Sequence, residues 1–207
     1  MQLFNKVAIK KTLYHTWYIY PITIAITTLL LRWGFQAYHQ PSEHQKLTIF
    51  LSADVRDESF LTKILNKYDK EKLREVNPYY MLPEAVGYYQ KVKLYVDQGD
   101  IVILNETTFN YYKDHYGEYF ASFNDQTKEK YVPSGSTYYT YDDKDYGVLL
   151  KKKGESHYLQ SYMDFVDEDY YIALPIASVN LGDLVNKDNG YYDNALTFMN
   201  HLLVGNL

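Results

Sequence analysis

Residues 100–104 read Asp100-Ile101-Val102-Ile103-Leu104, and this run decides the fold. Four consecutive apolar residues suit a strand buried on both faces, and such strands belong in parallel sheets covered by helices. Before it, Val86, Tyr89, Val92 and Val96 recur at helical spacing from Pro83 onward, and Gly99 stops that helix. After it, Asn105-Glu106-Thr107-Thr108 leads into a further helix over 109–120. Outward on the N-terminal side, Lys46-Leu47-Thr48-Ile49-Phe50-Leu51 reads as a strand ending in Ser52-Ala53-Asp54, polar residues suited to a helix start. Phe60, Leu61, Ile64 and Leu65 then mark a helix to about residue 70, and residues 73–80 form a weaker strand broken by Pro78. Alternation of strand and helix is the pattern of a parallel α/β sheet. On the C-terminal side, residues 121–144 are polar and turn-rich. Strands are expected at 146–150 and 170–176, an amphipathic piece at 158–165, and a closing helix over 193–204. The expected class is α/β, with a mostly parallel sheet flanked by helices.

The chain has 207 residues, a formal net charge of −5 and no cysteine. Lack of cysteine excludes a disulfide scaffold, a thiol nucleophile, a Cys-ligated zinc, an iron–sulfur cluster and a lipoprotein anchor. The acidic balance argues against a nucleic-acid partner. Residues 12–31, TLYHTWYIYPITIAITTLLL, contain no Lys, Arg, Asp or Glu. At about 1.5 Å per residue they span roughly 30 Å, the hydrocarbon thickness of a bilayer. Tyr14, Trp17, Tyr18 and Tyr20 gather at one end and Trp33 stands at the other, as in an aromatic belt. A buried helix of a soluble fold competes, favoured by His15, Pro21 and the threonines. A cleaved signal peptide competes too, although Arg32-Trp33-Gly34-Phe35 is a poor cleavage context. The expected organisation is a cytoplasmic N-terminus (1–11), a transmembrane helix (12–34), a spacer (35–45) and an extracytoplasmic α/β domain (46–207). Lys6, Lys10 and Lys11 before the span, against Arg32 after it, set that orientation in a cell membrane. Beyond Arg32, 17 basic residues face 26 acidic ones, a net of −9.

Three segments resemble the extracellular solute-binding proteins, the capture components of bacterial import systems. They are KLTIFLSADVRDESFLTKILNKY (46–68), YVDQGDIVILNETTF (95–109), and DYYIALPIASVNLGDL (169–184) with NALTFMNHLL (194–203). The resemblance implies a periplasmic-binding-protein-like lobe. Members of that family close two lobes on a ligand, and residues 46–207 suffice for one. It implies binding without catalysis and without a cofactor. The expected role is an accessory of a membrane transporter or envelope protein. Direct capture of a sugar or peptide ligand is the alternative.

In open parallel sheets, ligands sit beyond the carboxyl ends of the strands. Ser52 and Asp54 follow the first strand, Asn105 and Glu106 the third, and Ser178 and Asn180 the late strand. These six are the candidate ligand-binding residues, with helix capping as the competing role for the first two pairs. Asp54 and Glu106 could also form a glycosidase-like pair, the least favoured reading. The doublets Tyr79-Tyr80, Tyr88-Tyr89, Tyr111-Tyr112, Tyr138-Tyr139, Tyr170-Tyr171 and Tyr191-Tyr192 suit sugar stacking or a protein interface, or reflect composition alone. No metal site is expected: the histidines form no HExxH motif, and Asp142-Asp143-Lys144-Asp145 lacks the glycine and glutamate of a calcium loop. No GxSxG, P-loop or GxGxxG motif occurs. Lys151-Lys152-Lys153 reads as a solvated turn, with contact to anionic lipid as the alternative.

Overall fold

The computed structural model describes residues 14, 16–69, 71–184 and 193–205. The chain divides into two units, residues 1–40 and 41–207. The expected cytoplasmic stretch 1–11 lies outside the described residues, as do Tyr191 and Tyr192.

The first unit holds helix α1 (Ile19–His39). The transmembrane helix expected over 12–34 is not found: among the described residues, no helix is long and apolar enough to cross a membrane. The helix and the charge-free run are out of phase. Residues 17 and 18 form a turn, so only residues 19–31 of the run lie in α1. At about 1.5 Å each they reach roughly 20 Å, short of a bilayer core. The rest of α1 brings in Arg32, Gln36 and His39. Thr23 and Thr28 donate their hydroxyls back to the carbonyls of Ile19 and Ile24, at 2.9 and 2.8 Å.

In the second unit a six-stranded sheet has the order β3-β1-β4-β8-β6-β5. Its strands are β1 (Lys46–Leu51), β3 (Glu75–Tyr80), β4 (Ile101–Asn105), β5 (Tyr138–Tyr141), β6 (Lys144–Lys151) and β8 (Tyr170–Ala173). A small separate ladder joins β2 (Asp54–Val55) to β7 (Met163–Asp164). Helix α2 (Ser59–Leu65) connects β1 to β3, and α3 (Tyr88–Gln98) connects β3 to β4. These connections make β3, β1 and β4 parallel. The other half corrects the mostly parallel expectation, because β8, β6 and β5 pair antiparallel. Asp142 and Asp143, both at positive φ (49° and 56°), are the two-residue link of the β5–β6 hairpin. Such a link can join only antiparallel strands. Strand β5 and helix α6 (Asp125–Tyr131) arise within the stretch read as turn-rich. The helix expected at 109–120 is broken into α4 (Glu106–Tyr111), a 3₁₀ turn at Lys113–His115 and α5 (Tyr116–Tyr119).

Both faces of the sheet are covered, as the 100–104 run requires. On β4, Ile101 and Ile103 face the cluster built by Phe60 and Ile64 of α2 with Phe198, Met199 and Leu202 of α7 (Asn194–Val204). Val102 and Leu104 face Val92 and Val96 of α3 with Phe109, Tyr116 and Phe120. Successive strand side chains point to opposite faces, so one five-residue strand feeds both cores.

Candidate functional site

The six predicted residues divide between the two ends of the sheet. Ser52 and Asn105 come together at the carboxyl edge of β1 and β4. Their link is Tyr88, a buried residue of the first turn of α3. Its hydroxyl contacts Ser52 Oγ, lies 3.0 Å from Thr108 Oγ1, and donates to Asn105 Oδ1 at 3.4 Å. Asn105 Nδ2 in turn donates to Glu168 Oε2 at 2.8 Å. Neither predicted cap forms as expected. Asn105 occupies the cap position of α4 without capping it, and Glu168 Oε2 accepts from the Thr107 N–H at 3.0 Å instead. At α2, Asp57 accepts from the Ser59 amide at 2.8 Å. Burial pushes the Tyr88 hydroxyl up to about 12, against the hydrogen bonds to Ser52 and Thr108. Burial also acts to raise Glu168, but the Thr107 and Asn105 donors outweigh it and hold that carboxyl below its ordinary range.

Asp54 and Glu106 stand outside this network. Asp54 is exposed in β2, opposite Asp164, and Glu106 is exposed at the start of α4. No hydrogen bond or ion pair joins the two among the described residues.

Ser178 and Asn180 lie at the opposite end of the sheet, because β8 runs against β1 and β4. Asn180 Nδ2 donates to the Lys46 carbonyl at 2.9 Å and to Asp100 Oδ1 at 3.0 Å. Ser178 Oγ donates to Asp100 Oδ1, and the Thr48 amide to Asp100 Oδ2 at 2.8 Å. These contacts leave Asn180 Oδ1 buried without a hydrogen-bond partner. Burial, with the Glu43 charge as a lesser contribution, lifts the Asp100 carboxyl above its ordinary range despite the three donors.

The tyrosine doublets at Tyr88-Tyr89 and Tyr111-Tyr112 each supply one core ring and one surface ring. The surface rings, Tyr89 and Tyr111, meet with centroids 5.0 Å apart. The β3–α3 connection that leads into α3 exposes Leu82 and Val86, the latter 98% exposed. An aromatic stack, Phe50 on Tyr95 (5.2 Å) and Tyr95 on Tyr79 (4.6 Å), runs from the core to this surface.

Sequence reasoning missed Thr108, Glu168 and Asp100, and named Tyr88 only as half of the doublet Tyr88-Tyr89. Tyr88 had a signal: it precedes Val92 and Val96 by four and eight residues, on the buried stripe of α3. Among the described residues no group of three His, Asp or Glu side chains could hold a metal ion. Comparison of the chain with protein-family models, curated proteins and solved structures gives no match in any of the three.

Proposed function

We propose that the protein is a membrane-associated, extracytoplasmic binding domain without a catalytic role, which docks on a membrane transporter or envelope protein through the carboxyl edge of its sheet. The observation that carries this reading is the exposed set Leu82, Val86, Tyr89 and Tyr111 at that edge. Rings with a polar tip are enriched where protein surfaces meet. Beneath that set Ser52, Tyr88, Asn105, Thr108 and Glu168 are engaged with one another, which supports a rigid platform over a catalytic centre. The resemblance of segments 46–68, 95–109 and 169–184 to solute-binding proteins supports binding as well.

Membrane association is supported by α1. Its apolar residues from Ile19 to Leu31 are exposed around the helix, and such a surface needs cover. The hydroxyls of Thr23 and Thr28 are satisfied within the helix, which lowers the cost of leaving water. A chain held in a membrane plane meets its partner there.

The test is a photo-crosslinking side chain at Val86 in the full chain within cells. A discrete membrane-protein adduct is expected, lost when Tyr89→Ser and Tyr111→Ser are introduced together. No adduct, with a saturable change of tyrosine fluorescence on adding a sugar or peptide, would replace docking by direct ligand capture.

A further inference from the structure

Lys151 departs from the solvated turn that Lys151-Lys152-Lys153 was expected to form. Lys152 and Lys153 are exposed, but Lys151 is only 4% exposed. The cause is local. The β6–β8 register shifts between Leu149 and Lys151, so Lys151 comes to pair with Tyr170. A bulge of this kind re-aims the side chains that follow it. The ammonium reaches 5.9 Å from the ring centroids of both Phe165 and Tyr170. Its two hydrogen bonds, to the carbonyls of Lys152 and Glu168, are long at 3.5 Å each. Among the described residues no carboxylate comes within 4.0 Å of Nζ.

A buried charge without a counter-ion is costly, and proteins retain one where it serves a purpose. Lys151 lines a cavity of about 390 Å³, with Ser156, Gln160, Phe165 and Val166 among its other walls. Small-molecule sites fall at about 300–1,000 Å³ and combine an apolar wall with a few converging polar groups. Of the cavity's two acidic residues, Glu155 pairs with Lys152 at 3.2 Å, and neither pairs with Lys151; Asp167 Oδ1 accepts the Gly154 amide at 3.2 Å. Nearby, burial and then the Lys151 charge pull His157 down to about 4, so it is neutral at physiological pH and adds no positive charge. Asp167 keeps its negative charge, and among the described residues that line the cavity the Lys151 ammonium is the one cation, with no ion-pair partner. The site also stands at the carboxyl edge, since Lys151 pairs with Tyr170 and Tyr170 with Asn105.

We propose that Lys151 anchors the carboxylate of a small-molecule ligand in this cavity, with the ligand's body against Phe165 and its polar groups on Ser156 and Gln160. One ammonium balances one negative charge. A phosphate dianion would keep one charge uncompensated beside the Asp167 carboxylate. The inference is independent of docking through the tyrosine surface.

The experiment titrates the full chain with sodium benzoate and sodium glucuronate against their neutral counterparts, benzyl alcohol and glucose, at matched ionic strength. Backbone amide resonances of Gly154 and Ser156 and the thermal midpoint are followed. At least one carboxylate at millimolar concentration is expected to move both saturably, and its neutral counterpart neither. Lys151→Met is expected to bind that carboxylate at least tenfold more weakly, while its ligand-free midpoint equals or exceeds that of the wild type. A merely structural lysine would give the reverse pattern, with a lowered midpoint and unchanged titration. The proposal is overturned if neither carboxylate acts, if Lys151→Met binds equally well, or if inorganic phosphate binds more tightly than both carboxylates. Should Lys151→Met fail to fold, the contrast between carboxylate and neutral partner in the wild type decides.

Discussion

Asp100 holds together two strand starts and the turn after β8, and it does so as a carboxylate taken largely out of water. The Thr48 amide, Ser178 hydroxyl and Asn180 amide all donate to it. Burial nevertheless lifts its proton affinity above the ordinary carboxylate value of 3.8. The sign of the consequence follows from linkage. Between the raised native pKa and 3.8, the folded chain binds more protons at this residue than the unfolded chain does. Asp100 therefore adds stability as pH falls through that window and loses it as pH rises. The expected outcome is a stability gap between wild type and Asp100→Asn that widens, in favour of the wild type, on acidification from neutral pH. Urea denaturation at a series of pH values measures it. Subtracting the variant removes the opposite slopes contributed by Asp57, Asp145 and Glu168, whose carboxyls are held low. A gap that narrows on acidification would mean that the donors outweigh burial and that the fold requires the charged form.

Among the elements, β6 shows how close packing fixes the position of a strand. Gly147 lets the Phe109 ring approach its backbone: an added Cβ would meet ring atoms at 3.0 and 3.2 Å and Tyr171 Cβ at 3.4 Å. The ring has little freedom to retreat, because Tyr116 and Tyr139 each stand 4.9 Å from it, centroid to centroid. Gly147→Ala is expected to destabilise the domain by about 1–3 kcal/mol, the usual cost of overpacking a filled core. Urea denaturation reads it, and a variant as stable as wild type would show that the aromatic cluster repacks freely. The parallel half of the sheet was legible in the sequence for a physical reason. Residues 46–51 and 101–104 carry apolar side chains toward both faces, and helical spacing around Val92 and Ile64 fills the connections. The direction of β8 was not legible, because an apolar strand reads the same whichever way it runs. That ambiguity carried Ser178 and Asn180 to the wrong end of the sheet. Lys151 was hidden for a related reason, since a one-residue bulge turns a lysine of an apparent surface triplet inward.

For the molecule as a whole, the division at Gln40 and Pro41 separates two different solvation problems. The larger unit buries its apolar side chains on both faces of one sheet and carries a net charge of −9. The smaller unit leaves Trp17, Tyr20, Leu29, Leu30, Leu31, Trp33 and Phe35 exposed. Residues 41–207 are therefore expected to fold alone, with one cooperative thermal transition at the midpoint of the domain in the full chain. In a flotation assay with vesicles containing anionic lipid, the full chain is expected to rise with the lipid. Residues 41–207 should remain below, because an acidic domain is repelled by an anionic surface at low salt. High salt discriminates the cause. Apolar attachment through α1 persists when charges are screened, whereas attachment through a patch such as Lys152 and Lys153 weakens. Flotation of residues 41–207, or salt-sensitive flotation of the full chain, would assign the membrane contact to the domain and remove α1 from that role.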